Sequence, residues 1–217
     1  MKKHHQLRSF IFSNFIKLST IFLMIILIPS FALAQNDSLN NQTKFGFKIR
    51  AGGRYDNVRM CVASPAGAKG GPAADVSFFT EFGISDNAKL HIDIPIFRPI
   101  LFGVSFDMLQ FEPSATLKFR KTLSADIDYI SGPILGISFH YGPDYKSESS
   151  GVNRTNSFFA IGPIVGGYFG IEFKRPEKAF NFELGINPYL IPLFSINDPL
   201  NHKGIVAGGL LDASFSF

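Results

Sequence analysis

The sequence predicts an all-β fold, an eight-stranded antiparallel up-and-down transmembrane β-barrel. Three observations carry that expectation. Eight segments alternate strictly with a period of two residues. Charge is confined to one of the two faces so defined. The connections alternate between short and long. Composition agrees: the chain has 217 residues with 25 Phe and 20 Gly, one Cys and no Trp. A helical bundle would be led by Leu and Ala, and a single Cys excludes an internal disulfide framework or a cysteine-based zinc cluster.

Residues 1–34 read as a secretory signal peptide. They hold Lys2, Lys3, Arg8 and Lys17 and no acid, then an apolar run from Ile21 to Ile28, then Ala32-Leu33-Ala34. A basic start, a short apolar core and a small-x-small site form the export pattern, and the run is shorter than the roughly 20 residues a spanning helix needs. The formal charge of +4 lies wholly in this segment. Without it the basic and acidic residues balance at 17 each, so no basic patch argues for nucleic acid. Residues 35–43 are polar and read as a disordered tail, and residues 44–217 as the barrel. In an exported chain Cys61 is a free thiol or an intermolecular partner.

The segments are Lys44 to Ala51, Ala74 to Ile84, Lys89 to Ile96, Leu109 to Arg120, Ala125 to Tyr141, Phe158 to Lys174, Phe180 to Ile191 and Ile205 to Phe217. In the first, Phe45, Phe47, Ile49 and Ala51 share one face, opposite Lys44, Gly46, Lys48 and Arg50. Over all eight, the apolar face carries no charge, and the other carries nine acidic and seven basic residues. Lipid demands such a face, because Lys or Arg at the bilayer midplane of a barrel costs about 2–4 kcal/mol. Water-soluble sheets alternate too, with the faces reversed. A soluble ligand-binding barrel of lipocalin type is therefore the structural competitor. The connections decide for the membrane. Those at residues 85–88, 121–124 and 175–179 are short, and those at 52–73, 97–108, 142–157 and 192–204 are long, as in outer-membrane barrels. Outward Phe45, Phe47, Phe82, Phe119, Phe173, Phe180, Phe182, Phe215 and Phe217 fall near one end of their strands and predict an aromatic girdle.

The export signal, eight strands, loop alternation and final Phe217 resemble the small eight-stranded bacterial outer-membrane barrels, of which the transmembrane domain of outer membrane protein A is the type. The resemblance covers residues 44–217 and rests on pattern, with no family active-site motif matched. It implies the bacterial outer membrane as location and its lipid as surrounding partner. It implies recognition of the last strand, through Phe215 and Phe217, by the barrel-assembly machinery. The outer loops would be where an extracellular ligand is met. It implies little about activity.

Inside a barrel of this size side chains fill the lumen. The inward charges read as a paired ionic plug. At the upper level the first four strands place Arg50, Asp75, Asp93 and Glu112, and the later strands place Ile134, Gly136, His140, Ala160, Ile164 and Tyr189. This half-charged, half-apolar chamber is the candidate ligand site. Pro113, Pro133, Pro163 and Pro188 lie on outward positions within their strands. They mark either the rim where pairing ends or a weakened seam giving an amphiphile lateral access. His91, His140 and His202 show no ligand spacing for a metal. No Gly-x-Ser-x-Gly elbow and no His-x-Ser pattern of lipid A deacylase barrels is present. The glycine-rich stretch at 66–72 is not a P-loop. No catalytic residue, cofactor or metal is expected. The leading expectation is a non-enzymatic outer-membrane protein with a structural or surface-interaction role. The alternatives are a barrel that binds or passes a small apolar or amphiphilic ligand, and a lipid-modifying enzyme with a nucleophile near His140 or His202.

Overall fold

The computed structural model describes residues 43–56, 70–106, 109–143, 157–174, 181–196 and 203–217. The export-signal reading of residues 1–34, the tail through residue 42, Cys61, the glycines at 67 and 70's upstream neighbours, Phe180 and His202 lie outside the described residues, with Gly70 itself the first described residue of that stretch.

Residues 44–217 form one compact unit. Its elements are β1 (Lys44–Asp56), β2 (Gly71–Ser85), β3 (Ala88–Pro95), α1 (Phe97–Phe106), β4 (Leu109–Phe111), β5 (Ser114–Thr122), β6 (Ile127–Pro143), β7 (Ser157–Phe173), β8 (Asn181–Ser195) and β9 (Lys203–Ser216). Strands β4 and β5 are one stave interrupted at Glu112-Pro113, and both pair with β6. Every stave pairs antiparallel with its sequence neighbour, and β9 returns to β1 through Phe47↔Phe215, Ile49↔Ala213 and Ala51↔Leu211. The Phe217 amide donates to the Phe45 carbonyl at 2.8 Å. The result is a closed antiparallel barrel of eight staves. Closure removes the free sheet edges that an open sheet would expose.

The faces are inverted relative to a soluble protein, which disposes of the lipocalin-type alternative. Lys48 is 1% exposed and Asp93 2%, while Phe47 is 47% and Ile49 53% exposed. Away from the strand ends, outward positions of the described strands carry no charged residue. The register lines up Phe173, Phe182, Phe215, Phe47 and Phe78 as one row across five staves. Their rings meet at 5.9 Å (Phe173–Phe182), 5.1 Å (Phe182–Phe215) and 5.6 Å (Phe47–Phe78). Four of the nine Phe expected in a girdle, Phe47, Phe173, Phe182 and Phe215, stand in this row, together with Phe78, which was not among them. A second aromatic set stands at the other end of the wall, with Phe111 stacked on Phe139 at 6.4 Å and Tyr141 opposite Phe159. Between the two sets, Val165 lies outward on β7. Val165→Arg is expected to destabilise the barrel by about 2–4 kcal/mol against Val165→Leu, measured as the urea dependence of folding into lipid vesicles.

Two expectations are corrected. The stretch from Gly52 was expected to open a loop, yet β1 continues to Asp56, and Arg54 and Asp56 are buried inward. The glycine pair Gly52-Gly53 hides the alternation there. The stretch 97–108 was expected to be a loop, and residues 97–106 form helix α1. Pro99 falls in its first turn, where a missing N–H costs no helix bond.

The glycine excess has a packing cause. Inward glycines make room for inward aromatics on neighbouring staves. A methyl group at Gly185 would lie 2.2 Å from the Tyr168 hydroxyl, one at Gly208 2.6 Å from that of Tyr189, and one at Gly46 2.4 Å from the Phe79 ring. Each of these rings lies in room left by the missing Cβ of the adjacent stave.

Candidate functional site in the barrel interior

The lower and middle lumen hold an ion-paired network. Lys118 on β5 donates to Glu183 on β8 at 2.8 and 3.0 Å and to Glu81 on β2 at 2.9 Å. Glu81 also meets His91 at 2.9 Å and Lys89 at 3.5 Å. Lys48 on β1 donates to Asp93 on β3 at 2.5 Å, and Arg50 reaches the other Asp93 oxygen at 3.0 Å. His91 closes the set at 3.1 Å from Asp93. Beneath them Arg120 bridges Asp128 and Glu172, and Lys174 meets Asp128 at 2.7 Å. Tyr168 lies under the ammonium groups of Lys118 and Lys48, 5.1 and 5.8 Å from its ring centre. Five of these pairs skip at least one stave, among them Lys48–Asp93, Lys118–Glu81, Arg120–Glu172 and, across three, Lys118–Glu183, so the network ties non-adjacent staves together across the lumen. Charges withdrawn from water are tolerated when paired and hydrogen-bonded, and breaking one pair is costly.

Above this network the lumen divides. On one side Glu112 accepts from Arg54 Nη1 at 3.3 Å, Arg98 Nη1 at 2.8 Å, Gln110 Nε2 at 3.0 Å and Ser138 Oγ at 3.2 Å, with His140 Nε2 also at 3.2 Å. Arg98 comes from α1, and its amide donates to Asp75 Oδ1 at 3.0 Å. On the other side Ala160, Ile164, Ile191, Leu193 and Val206 form a buried apolar cluster with Tyr189 against it. Ile130, Ile134 and Tyr168 form a second.

The ten expected chamber residues are thus distributed as follows. Asp75, Glu112 and His140 gather at the polar side. Ala160, Ile164 and Tyr189 gather at the apolar side. Arg50 and Asp93 belong to the ionic network below, and Ile134 packs with Tyr168. Gly136 faces the Pro113 carbonyl, where a Cβ would lie 2.4 Å from its oxygen. Arg98, Arg54 and Tyr168 were not among the expected site residues. Inward parity alone marks Tyr168, whereas Arg98 depends on a helix that the strand pattern does not show.

The prolines interrupt two seams. Between β7 and β8 the ladder skips Gly162-Pro163-Ile164 opposite Ile191-Pro192-Leu193, and again beside Pro188. Between β5 and β6 it skips the positions beside Pro133, and the stave breaks at Pro113. Pairing resumes above each gap, at Ile161↔Phe194 and Phe111↔Phe139. The intervening β6–β7 ladder is unbroken from Ile127↔Phe173 to Pro143↔Ser157.

Ser138 Oγ lies 2.7 Å from His140 Nε2, so a hydroxyl does stand beside a histidine and a glutamate. The geometry is not that of a nucleophile relay. Glu112 and Ser138 both address Nε2, while Nδ1, where an orienting acid belongs, has no hydrogen-bond partner.

No protein-family model matches the sequence, and no curated protein matches it either. Among solved structures the chain is similar to Neisserial surface protein A at 11% identity and a TM-score of 0.52, covering 79% of this chain and 95% of that one. It is also similar to the N-terminal β-barrel domain of Pseudomonas aeruginosa OprF at 10% identity and a TM-score of 0.38, covering 82% and 100%. The likeness to the first supports the fold read from the pairing, a closed eight-stranded barrel of the small outer-membrane type.

Proposed function

We propose that this is an integral protein of the bacterial outer membrane, non-enzymatic, with a structural or surface-interaction role exercised through its outer loops. One observation carries the reading: buried, cross-wall ion pairs fill the middle of the lumen, inside a wall whose outer face is apolar. Such an interior suits a rigid anchor rather than a diffusion pore, because passing a hydrated solute would require breaking several buried pairs at once. The convergence of Ser138 and Glu112 on one nitrogen of His140 supports the absence of an acyl-transfer role.

The test uses the exported chain expressed in a Gram-negative host. The expected result is recovery in the outer-membrane fraction and gel migration that shifts on heating. After reconstitution in planar bilayers the purified protein is expected to give no steps of porin size. Incubation with outer-membrane lipid is expected to leave lipid masses unchanged by mass spectrometry. Stable conductance steps would overturn the plug. Released acyl chains that disappear in Ser138→Ala would overturn the non-enzymatic reading.

A further inference from the structure

The middle ion-pair network leaves two staves out. Its charged members stand on β1 (Lys48, Arg50), β2 (Glu81), β3 (Asp93), β5 (Lys118) and β8 (Glu183). Strands β6 and β7 contribute no charge to it. They lie side by side between β5 and β8. The Lys118–Glu183 pair therefore joins their two flanking staves directly, at 2.8 Å. Tyr168 of β7 meets the network through the face of its ring, 5.1 Å from Lys118 Nζ.

The prolines weaken the two seams that border this hairpin. Successive residues of a strand turn their N–H and C=O groups to opposite neighbours, and proline has no N–H to give. The β6–β7 ladder passes Pro133 and Pro163 without a break, so the bonds they cannot donate are missing on their other sides, toward β5 and β8. The β8–β9 ladder passes Pro188 and Pro192 without a break, so theirs are missing toward β7. Pro113 accepts from the Ile137 amide at 3.1 Å, which places its own missing donor toward β6. Pro163 and Pro192 stand opposite each other, between Ile161↔Phe194 and Val165↔Leu190. At the same levels Gly132 and Gly136 of β6 lie close against the Leu117 and Pro113 carbonyls, and Gly162 and Gly166 of β7 against those of Pro192 and Pro188. There the hairpin meets both flanks by close backbone approach in place of a full ladder.

Its polar attachments lie at its two ends. At the lower end Arg120 of β5 holds Asp128 at 3.3 Å and Glu172 at 3.2 Å. At the upper end Glu112 meets Ser138 Oγ and His140 Nε2, each at 3.2 Å. Between them the inward residues, from Ile130 to Gly136 and from Ala160 to Gly170, carry no charge.

We propose that the β6–β7 hairpin is a movable panel in a frame of six staves. Fastened at both ends, it bows outward at mid-height as one body. It parts from β5 and β8 together, while its own ladder and the frame stay closed. Lys118–Glu183 is the strut that fixes the distance between the two flanks. Local opening follows the weakest set of backbone bonds, and here that set borders one hairpin on both sides. Its uncharged inner face can meet acyl chains without taking an ion into lipid. The motion leaves the ionic plug in place, so the wall yields sideways without becoming a pore.

The test uses paired nitroxides in proteoliposomes, introduced at cysteines in a Cys61→Ser background, Cys61 being the chain's one Cys. Ile49→Cys with Leu135→Cys spans from frame to panel, and Ile92→Cys with Ile186→Cys spans the frame alone. Both pairs join opposite staves of the barrel. Pulsed dipolar spectroscopy is expected to give a broader distribution with a longer component for the first pair, and a narrow one for the second. Pro163→Val with Pro192→Val, which restores the missing donors, is expected to remove the longer component. Arg120→Met, which frees the lower fastening, is expected to enlarge it. Leu135→Cys with Val165→Cys, facing positions within the hairpin, is expected to keep its short-range dipolar broadening in every background. Equal widths for the two spanning pairs would overturn the panel. A longer component that survives the restored donors would overturn the seams as its cause. Lost broadening within the hairpin would mean that β6 and β7 move separately, and would overturn the single body. If the double proline variant does not fold, the two spanning pairs in the Cys61→Ser background alone still decide.

Discussion

Lys118→Met is expected to destabilise the barrel by roughly 3–5 kcal/mol, the range for removing one partner of a buried pair. Lys118 is 2% exposed and lies between Glu81 and Glu183. Without its ammonium group, Glu183 is left buried with no cation bonded to it, while Glu81 keeps His91 and Lys89. The remedy follows from that asymmetry. Lys118→Met combined with Glu183→Gln should recover most of the loss, because the charge that remains is still paired. Urea unfolding in lipid vesicles, scored by heat-modifiable migration, measures both. A single variant as stable as the parent would mean that the network is ornamental.

The second large effect is expected at the proline seams. A Cβ at Gly162 would stand 1.9 Å from the Pro192 carbonyl oxygen, and one at Gly132 would stand 1.8 Å from that of Leu117. Both obstacles are backbone, in staves held by ladders on their far sides, so neither can yield cheaply. Gly162→Ala and Gly132→Ala should each cost at least about 1–3 kcal/mol, the range for overpacking a filled site. The control lies on the same wall. Nothing stands within 4 Å of a Cβ at Gly209, and Gly209→Ala should leave stability unchanged or raise it by about 0.4–1 kcal/mol through the unfolded chain. Equal behaviour of the three variants in the same urea titration would remove the close-approach explanation.

Much of this molecule was legible because the strand period of two reports side-chain direction without knowledge of any contact. Phe47 and Lys48 are neighbours in sequence and on opposite sides of the wall, and parity alone says so. The division of the upper lumen into a charged and an apolar side is likewise carried by inward parity. What parity cannot carry is partner identity. Lys118 and Glu183 both read as inward charges, but their meeting depends on stave order and barrel shear. It fails altogether where the period lapses. Gly52-Gly53 has no side chain to mark a face, so Arg54 and Asp56 were read as loop. In residues 97–106 a nearly unbroken apolar run gives neither period, so the helix that delivers Arg98 to Glu112 left no signature.

The cross-wall ion pairs also bear on how such a barrel can be made. Lys48 and Asp93 are 45 residues apart, and Lys118 and Glu183 are 65 apart. A hairpin entering lipid by itself would carry half of each pair without its counterpart. Stepwise insertion therefore meets a series of states that are each poorer than the start or the finish. Lipid entry and closure of the last stave onto the first must be nearly simultaneous. Long-range pairing of this kind is slow, and the rate of spontaneous folding into vesicles should be set by that concerted step, which a catalyst of assembly could shorten by holding the open ends together.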